Sequence, residues 1–468
     1  MPFIISILAV VSAVLLGHLA TTGAPLFLVL GCIAIIVSVF AFLNPKASLL
    51  LLVFSMLLSP KLGMGAASES RTIVLRYDDI LLFIIFFSWF AKTAIFKEKP
   101  FILSTPVQTP VLLYTTVYII SSGLGVMRGD IDFKAAAFYL LKYLEYFLLY
   151  FMTVNIVETK AEIRKYLAYG AGVAVIVTLY AFYYYSSATV DPRTTAPFET
   201  PLNSTLHTSE PASLGGYYLV IFGVLLGMLT EYSGRLFLLL AGLLAFMLPA
   251  FLLTFSRSSY IGFVAMALTL IAVTRQRKFM LSFILVGGLV VISLVPGIFG
   301  KVRDRIMMTY QGDYAVNTVD LGVAGQVKLE DSAAARLGSM KSVIFDKLPQ
   351  HPIFGLGVTG IGLGDTQYAL VLGEVGLSGL ALFVWMIYTI FTTARKVYGA
   401  YEVPWIRALS LGLMASTVGL LFQAVGVNTF IIIRIMEPFW FITALVMVLY
   451  RDLPMNGKTG AGSADARA

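Results

Sequence analysis

Long apolar runs broken by short polar turns recur along this chain. Runs at 3–20, 25–43, 47–59, 78–97, 108–126, 133–157, 163–185, 212–231, 235–253, 260–274, 279–297, 366–391, 404–427 and 432–450 reach or approach the ~20 residues that cross a bilayer. They predict twelve to fourteen membrane helices, with 47–59 short enough to be re-entrant or interfacial. The first run lacks a basic leading segment and more runs follow at once, so it reads as a retained helix, not a signal peptide.

The polar remainder is concentrated in three places: the loop 186–211, the turn Thr254-Phe255-Ser256-Arg257-Ser258-Ser259, and the insertion from about 298 to 364. Within the insertion, Leu337, Met340, Ile344 and Leu348 fall on one face at helical spacing, so 331–348 reads as an amphipathic helix with Asp331 or Ser332 at its start. The stretch 310–330 shows no clear period. The expected organisation is N-terminal membrane helices over 1–297, a large extracytoplasmic loop over 298–364, C-terminal membrane helices over 365–453 and a disordered tail over 454–468.

Composition agrees: 59% of residues are hydrophobic and 12% charged, against roughly a quarter charged in soluble domains. The fold class is an all-α polytopic transmembrane helical bundle. The net charge of +8 forms no basic stripe interleaved with aromatics, which argues against a nucleic-acid partner. It fits a bias of Lys and Arg toward cytoplasmic loops. With the N-terminus inside, the inner segments collect Lys92, Lys97, Lys160, Arg164, Arg275 and Arg277, and all three polar regions fall on the outer face. Cys32 is the single cysteine, which excludes an intrachain disulfide and a thiolate metal cluster. The chain has no H-E-x-x-H pair and no G-x-x-x-x-G-K-[ST] run, so neither a metal nor a nucleotide cofactor is expected.

Candidate chemistry sits in those outer regions. A charge at a membrane boundary is costly unless it snorkels, pairs or binds something, which singles out Arg257. Its plain alternative is a helix-end anchor. The loop 186–211 carries Arg193, Glu199, His207 and Glu210; Glu199 and His207 read as solvated, whereas Arg193 is one of few cations on that face. The segment His351-Pro352-Ile353-Phe354-Gly355-Leu356-Gly357, followed by Gly360, Gly362 and Gly364, implies positive-φ turns or close approach to a ligand, the alternative being a lid without contacts. Asp365 can cap the next helix or act as a general base at the water boundary. Glu374 lies roughly 13 Å further along that helix and needs a partner, for which Arg434 is a candidate, or a proton. Lys142 with Glu145, and Arg434 with Glu437, are spaced to satisfy each other. Two or three arginines with an acid nearby suit a pyrophosphate at the membrane boundary, because guanidinium forks donate paired charge-assisted hydrogen bonds.

These segments resemble the bacterial O-antigen ligase and O-antigen polymerase family. Leu253-Thr254-Phe255-Ser256-Arg257-Ser258-Ser259-Tyr260-Ile261-Gly262 is similar to its arginine turn, and Arg193 with Ala196-Pro197-Phe198 to its earlier arginine loop. His351 to Gly357 is similar to the segment closing its large loop. Asp365-Thr366-Gln367-Tyr368, then Glu374-Val375-Gly376, is similar to its helix entry with a downstream Glu-x-Gly; Asp79 also matches. The likeness in order and spacing covers about residues 70 to 450. It implies metal-independent, inverting transfer of a glycan from an undecaprenyl-pyrophosphate-linked donor, at the periplasmic face of the bacterial inner membrane. The acceptor is lipid A–core in a ligase and the next repeat unit in a polymerase.

Carried over, Arg193 and Arg257 hold the pyrophosphate and Asp365 is the base, while Arg336, Tyr368, Glu374 and His351 are candidate substrate-binding residues. Ligases place a histidine where this chain has Asp365, a departure that favours the polymerase type. The ligase is the alternative within the family. The rival of another class is a lipid-linked-sugar flippase, which needs charged residues lining a path through the bilayer.

Overall fold

Helices packed side by side, as expected, make up the computed structural model. It describes residues 25–68, 71–97, 100, 102–187, 192–200, 210–278, 317–320, 326–362 and 366–453, with single positions between 282 and 307. Asp365, His207, the expected spans 3–20 and nearly all of 279–297, and the tail 454–468 lie outside the described residues.

The helices are α1 (Pro25–Leu43), α2 (Pro45–Leu58), α3 (Tyr77–Phe96), α4 (Gln108–Arg128), α5 (Phe133–Ile156), α6 (Lys160–Ser187), α7 (Pro211–Glu231), α8 (Gly234–Leu252), α9 (Arg257–Val273), α10 (Asp331–Ser342), α11 (Gln367–Ala400), α12 (Pro404–Gln423) and α13 (Ile433–Arg451). Among the described residues nine are long and apolar enough to cross a membrane, with mean hydropathy from 1.2 to 2.2. Cys32–Leu43, Pro45–Leu58 and Arg257–Val273 are shorter apolar helices. The 14 residues of α2 rise roughly 21 Å, short of the ~30 Å hydrocarbon core.

Helix ends follow local chemistry. Asp132 accepts from the Ala135 N–H at 2.9 Å to start α5, and Thr366 accepts from the Ala369 N–H at 3.2 Å to start α11. Gly129, at φ 79°, closes α4.

Two short antiparallel hairpins were not anticipated. One pairs β1 (Lys61–Ser68) with β2 (Arg71–Arg76), Lys61 opposite Arg76; the other pairs β3 (Asn317–Asp320) with β4 (Gln326–Leu329) inside the large loop. The Gly- and Ala-rich β1 carries too little alternation to announce itself as a strand. In the same loop α10 runs on into a single wider turn, Val343–Lys347, within the helix expected over 331–348.

The centre of the bundle is α7, α12 and α13. In α13, 89% of the span is buried within the protein, against 22% in α8 at the periphery. Without a hydrophobic drive between helices in lipid, close packing depends on small residues. A Cβ on Gly227 of α7 would lie 2.4 Å from the Ala408 carbonyl oxygen of α12. One on Gly262 of α9 would lie 2.6 Å from the Gly419 carbonyl oxygen. These seams bring the N-terminal ends of α7 and α9 against the C-terminal end of α12. Gln423 fastens the junction, donating to the Ala212 carbonyl at 2.9 Å and the Ser259 hydroxyl at 3.0 Å.

The helix expected from 366 is not continuous. Gly376 has φ 66° and ψ −163°, a conformation open essentially only to glycine, and it breaks α11. The glycine-rich segment is bonded onto that break. Leu356 N–H donates to Gly373 O and Gly357 N–H to Glu374 O, both at 2.9 Å, and Leu377 N–H donates to Pro352 O at 2.9 Å. Ser121 on α4 donates to Glu374 O at 2.6 Å. The glycines here serve close approach to the chain's own backbone: a Cβ on Gly355 would lie 2.7 Å from the Glu374 carbonyl. A lid without contacts is excluded for this segment.

Candidate functional site

Three segments far apart in sequence deliver arginines to one cavity. Arg193, Arg257 and Arg336 line a space of about 180 Å³, with Thr254, Ser256 and Ser258. Pro211, Ala212, Phe255 and Val427 complete the lining. Each arginine is placed by local bonding. The Arg193 segment is tied down at Thr194, whose N–H donates to Leu253 O at 3.0 Å and whose hydroxyl donates to Ala250 O at 2.6 Å. The turn after α8 reverses through Phe255 at φ 50°, so that α9 starts at Arg257 itself, with Ser256 as its N-cap. Tyr260, one turn later, donates back to Leu252 O. Arg336 arrives on α10, beside Gly426.

Electrostatics at this cavity favour an anion. Among the described residues no carboxylate lines it. The N-terminal ends of two helices, α7 at Pro211–Ala212 and α9 at Ser256–Ser258, also face it, adding partial positive charge. The Ser256 side chain caps no backbone N–H of α9; its hydroxyl accepts from the Ser259 hydroxyl at 2.8 Å. Arg257 is ion-paired with Glu330, at 2.5 Å, from the residue just before α10.

Other residues named from the sequence lie elsewhere. Tyr368 donates its hydroxyl to Leu421 O at 2.8 Å, and His351 sits 4.0 Å from Asp130 near the end of α4; neither lines the arginine cavity. Glu374 is fully buried and accepts from the Thr359 N–H at 2.9 Å. The suggested pairing of Glu374 with Arg434 is not formed, because Arg434 is committed to Glu199. The chain is fixed two residues after Asp365: Gln367 N–H donates to Ala424 O at 3.1 Å, and the Gln367 side-chain oxygen accepts from Phe430 N–H at 2.8 Å. The start of α11 thus rests on the 424–430 segment, whose Val427 lines the cavity.

A buried charge network escaped the sequence reading. Glu199 is not solvated; it is 6% exposed and paired with Lys61 at 2.6 Å and with Arg434, while Ser213 donates to it at 3.2 Å. Arg434 also donates to Phe198 O at 2.9 Å. Burial opposes the Glu199 carboxylate, but Arg434 and Lys61 outweigh it and hold its pKa below the usual value. Burial pulls the Lys61 ammonium below its usual pKa, despite Glu199. Of the two expected i,i+3 pairs, Lys142–Glu145 is formed and Arg434–Glu437 is not. Lys142 is bonded to Asp79 and lies 3.7 Å from Glu145, while Glu437 lies 3.7 Å from Arg76. Arg76 in turn is paired with Asp78. The signal available was the number of acids and bases at span boundaries, which need partners there; their identities depend on the fold.

No curated protein matches the chain. Residues 242–384, which hold the arginine turn, Arg336 and the break at Gly376, match the family model described as O-Antigen ligase, so this multi-pass membrane protein carries an O-antigen ligase-family domain.

Proposed function

We propose that the chain is a polymerase-type glycosyltransferase that joins undecaprenyl-pyrophosphate-linked oligosaccharide repeats at the outer face of the bacterial inner membrane. The observation that carries this reading is the convergence of Arg193, Arg257 and Arg336, with two helix N-termini, on one cavity that no carboxylate among the described residues lines. Such a cavity suits a diphosphate whose lipid tail remains in the bilayer. The acceptor hydroxyl gives its proton to Asp365 and attacks the anomeric carbon. The bond from that carbon to the pyrophosphate oxygen breaks, and undecaprenyl pyrophosphate leaves with inversion. The guanidiniums take up the charge that grows on the leaving oxygen.

Asp365 enters from the family resemblance, supported by the anchoring of Gln367, two residues on, to the 424–430 segment. The aspartate in place of a histidine favours the polymerase over the ligase. The test is reconstitution of the purified protein in liposomes with lipid-linked repeats, with and without lipid A–core. Elongated lipid-linked glycan without lipid A–core supports the polymerase. Product formed only on lipid A–core makes it a ligase, and transbilayer movement of the lipid-linked sugar without new glycosidic bonds overturns both.

A further inference from the structure

A second cavity, of about 310 Å³, adjoins the arginine cavity and has a different character. Val427 lines both, and the turn into α7 divides them: Pro211 and Ala212 face the first, Glu210 and Ser213 the second. Its charged lining is mixed: Lys61, Arg76, Lys142 and Arg434 with Glu199 and Glu210. The cations are already neutralised. Lys61 and Arg434 share Glu199, Arg76 holds Asp78, and Lys142 holds Asp79. A phosphate entering here would face Glu199 and Glu210 in the lining itself, so this is not a second pyrophosphate site. Buried charges tolerate burial when paired, yet a purely structural network gains nothing from opening onto a cavity.

One side of the cavity is aromatic, formed by Phe138, Tyr139 and Tyr143 of α5. Carboxylates that accept, cations that donate and ring faces for C–H groups are what a pyranose presents partners for, with its hydroxyls around the rim and apolar faces. The volume is at the lower end of ligand pockets, ~300 Å³ and upward.

We propose that this second cavity is a carbohydrate subsite that seats the accepting pyranose of the acceptor glycan, with its hydroxyl directed past Val427 toward the arginine cavity. This rests on the transferase reading, which it deepens by placing the acceptor. Lys61, Arg434 and Glu199 then have two tasks: they wall the sugar subsite, and through Glu199 they hold the segment that carries Arg193.

The test uses the full-length protein in nanodiscs. The probe is the oligosaccharide released by mild acid from the lipid-linked repeat that accumulates in cells lacking this protein. Binding is read by saturation-transfer NMR. The same oligosaccharide, varied against a fixed lipid-linked donor, gives an acceptor KM. Tyr139 is half-buried, so Tyr139→Ala is tolerated by the fold, and thermal unfolding of the variant confirms this. Tyr139→Ala should abolish the saturation-transfer signal and raise acceptor KM about tenfold, with kcat and donor KM within about twofold. Tyr139→Phe should restore most of the affinity. An unchanged acceptor KM in an active Tyr139→Ala variant, or no binding to the wild type, overturns the subsite and leaves the transferase reading standing. Oligosaccharide binding that depends on Tyr139, in a protein that never forms a glycosidic bond, keeps the carbohydrate site and overturns the transferase.

Discussion

Removing Arg257 is the most direct test of the anion cavity. Its guanidinium lines that cavity with Arg193 and Arg336 and holds Glu330 at 2.5 Å. At an effective dielectric constant near 20, a unit charge about 4 Å from a phosphate oxygen contributes about 4 kcal/mol. Two arginines and two helix N-termini remain in Arg257→Ala, so the transition state loses about 3 kcal/mol, which is roughly a hundredfold in kcat/KM. Folding loses much less. The side chains of Arg257 and Glu330 are 17% and 16% exposed, and an ion pair in partial contact with water is worth about 0.2–1 kcal/mol. Arg257→Lys keeps the charge but not the planar fork, and should sit near a tenfold loss. The assay is initial rate of glycan elongation against donor concentration in proteoliposomes, with thermal unfolding measured on the same preparations. A rate for Arg257→Ala within threefold of wild type, at normal thermal stability, refutes the proposed role.

Gly376→Ala places a Cβ 2.5 Å from Ile353 O at a φ that alanine resists, so it should lower stability by about 3 kcal/mol, read as earlier thermal unfolding in detergent. Glu199→Gln leaves Arg434, 2% exposed, without its carboxylate and should cost about 3–5 kcal/mol. The folded pKa of Glu199 is depressed, so its contribution is present above the unfolded value of about 4.3 and lost as pH falls through the lower folded value. Unfolding temperatures of wild type and Glu199→Gln should therefore differ most at neutral pH and converge below about pH 4; a gap independent of pH contradicts the assignment. On a Cys32→Ser background, a membrane-impermeant maleimide should label Asp346→Cys in intact spheroplasts, and Ser233→Cys only after permeabilisation; the reverse pattern would invert the sidedness.

Helix identity was legible because apolar runs near bilayer length admit few other structures. Arg193 and Arg257 were legible as candidates because cations are scarce at their positions, whereas Arg336 entered only with the family resemblance. Pairing was legible only in part. Local spacing suggested Lys142 with Glu145, which does form at 3.7 Å, but it did not show that Lys142 also takes Asp79, 63 residues away, or that Arg434 takes Glu199, 235 residues away, in place of Glu437. A buried guanidinium chooses the carboxylate that the packing presents, and sequence distance has no part in that choice. Gly376 was read through as helix, since one glycine in an apolar run costs only about 1 kcal/mol and leaves no mark on the pattern. The break became evident only when Pro352 to Gly357 was seen to use its backbone groups.

The bonding of 352–357 to 373–378 fastens the distal end of the long insertion to the break in α11. Deleting one residue between Pro352 and Gly357 shifts the register of every amide–carbonyl pair on the Gly376 break. Insertions and deletions are therefore forbidden on this distal arm, which keeps the reach from that anchor to Arg336 at a constant count of residues.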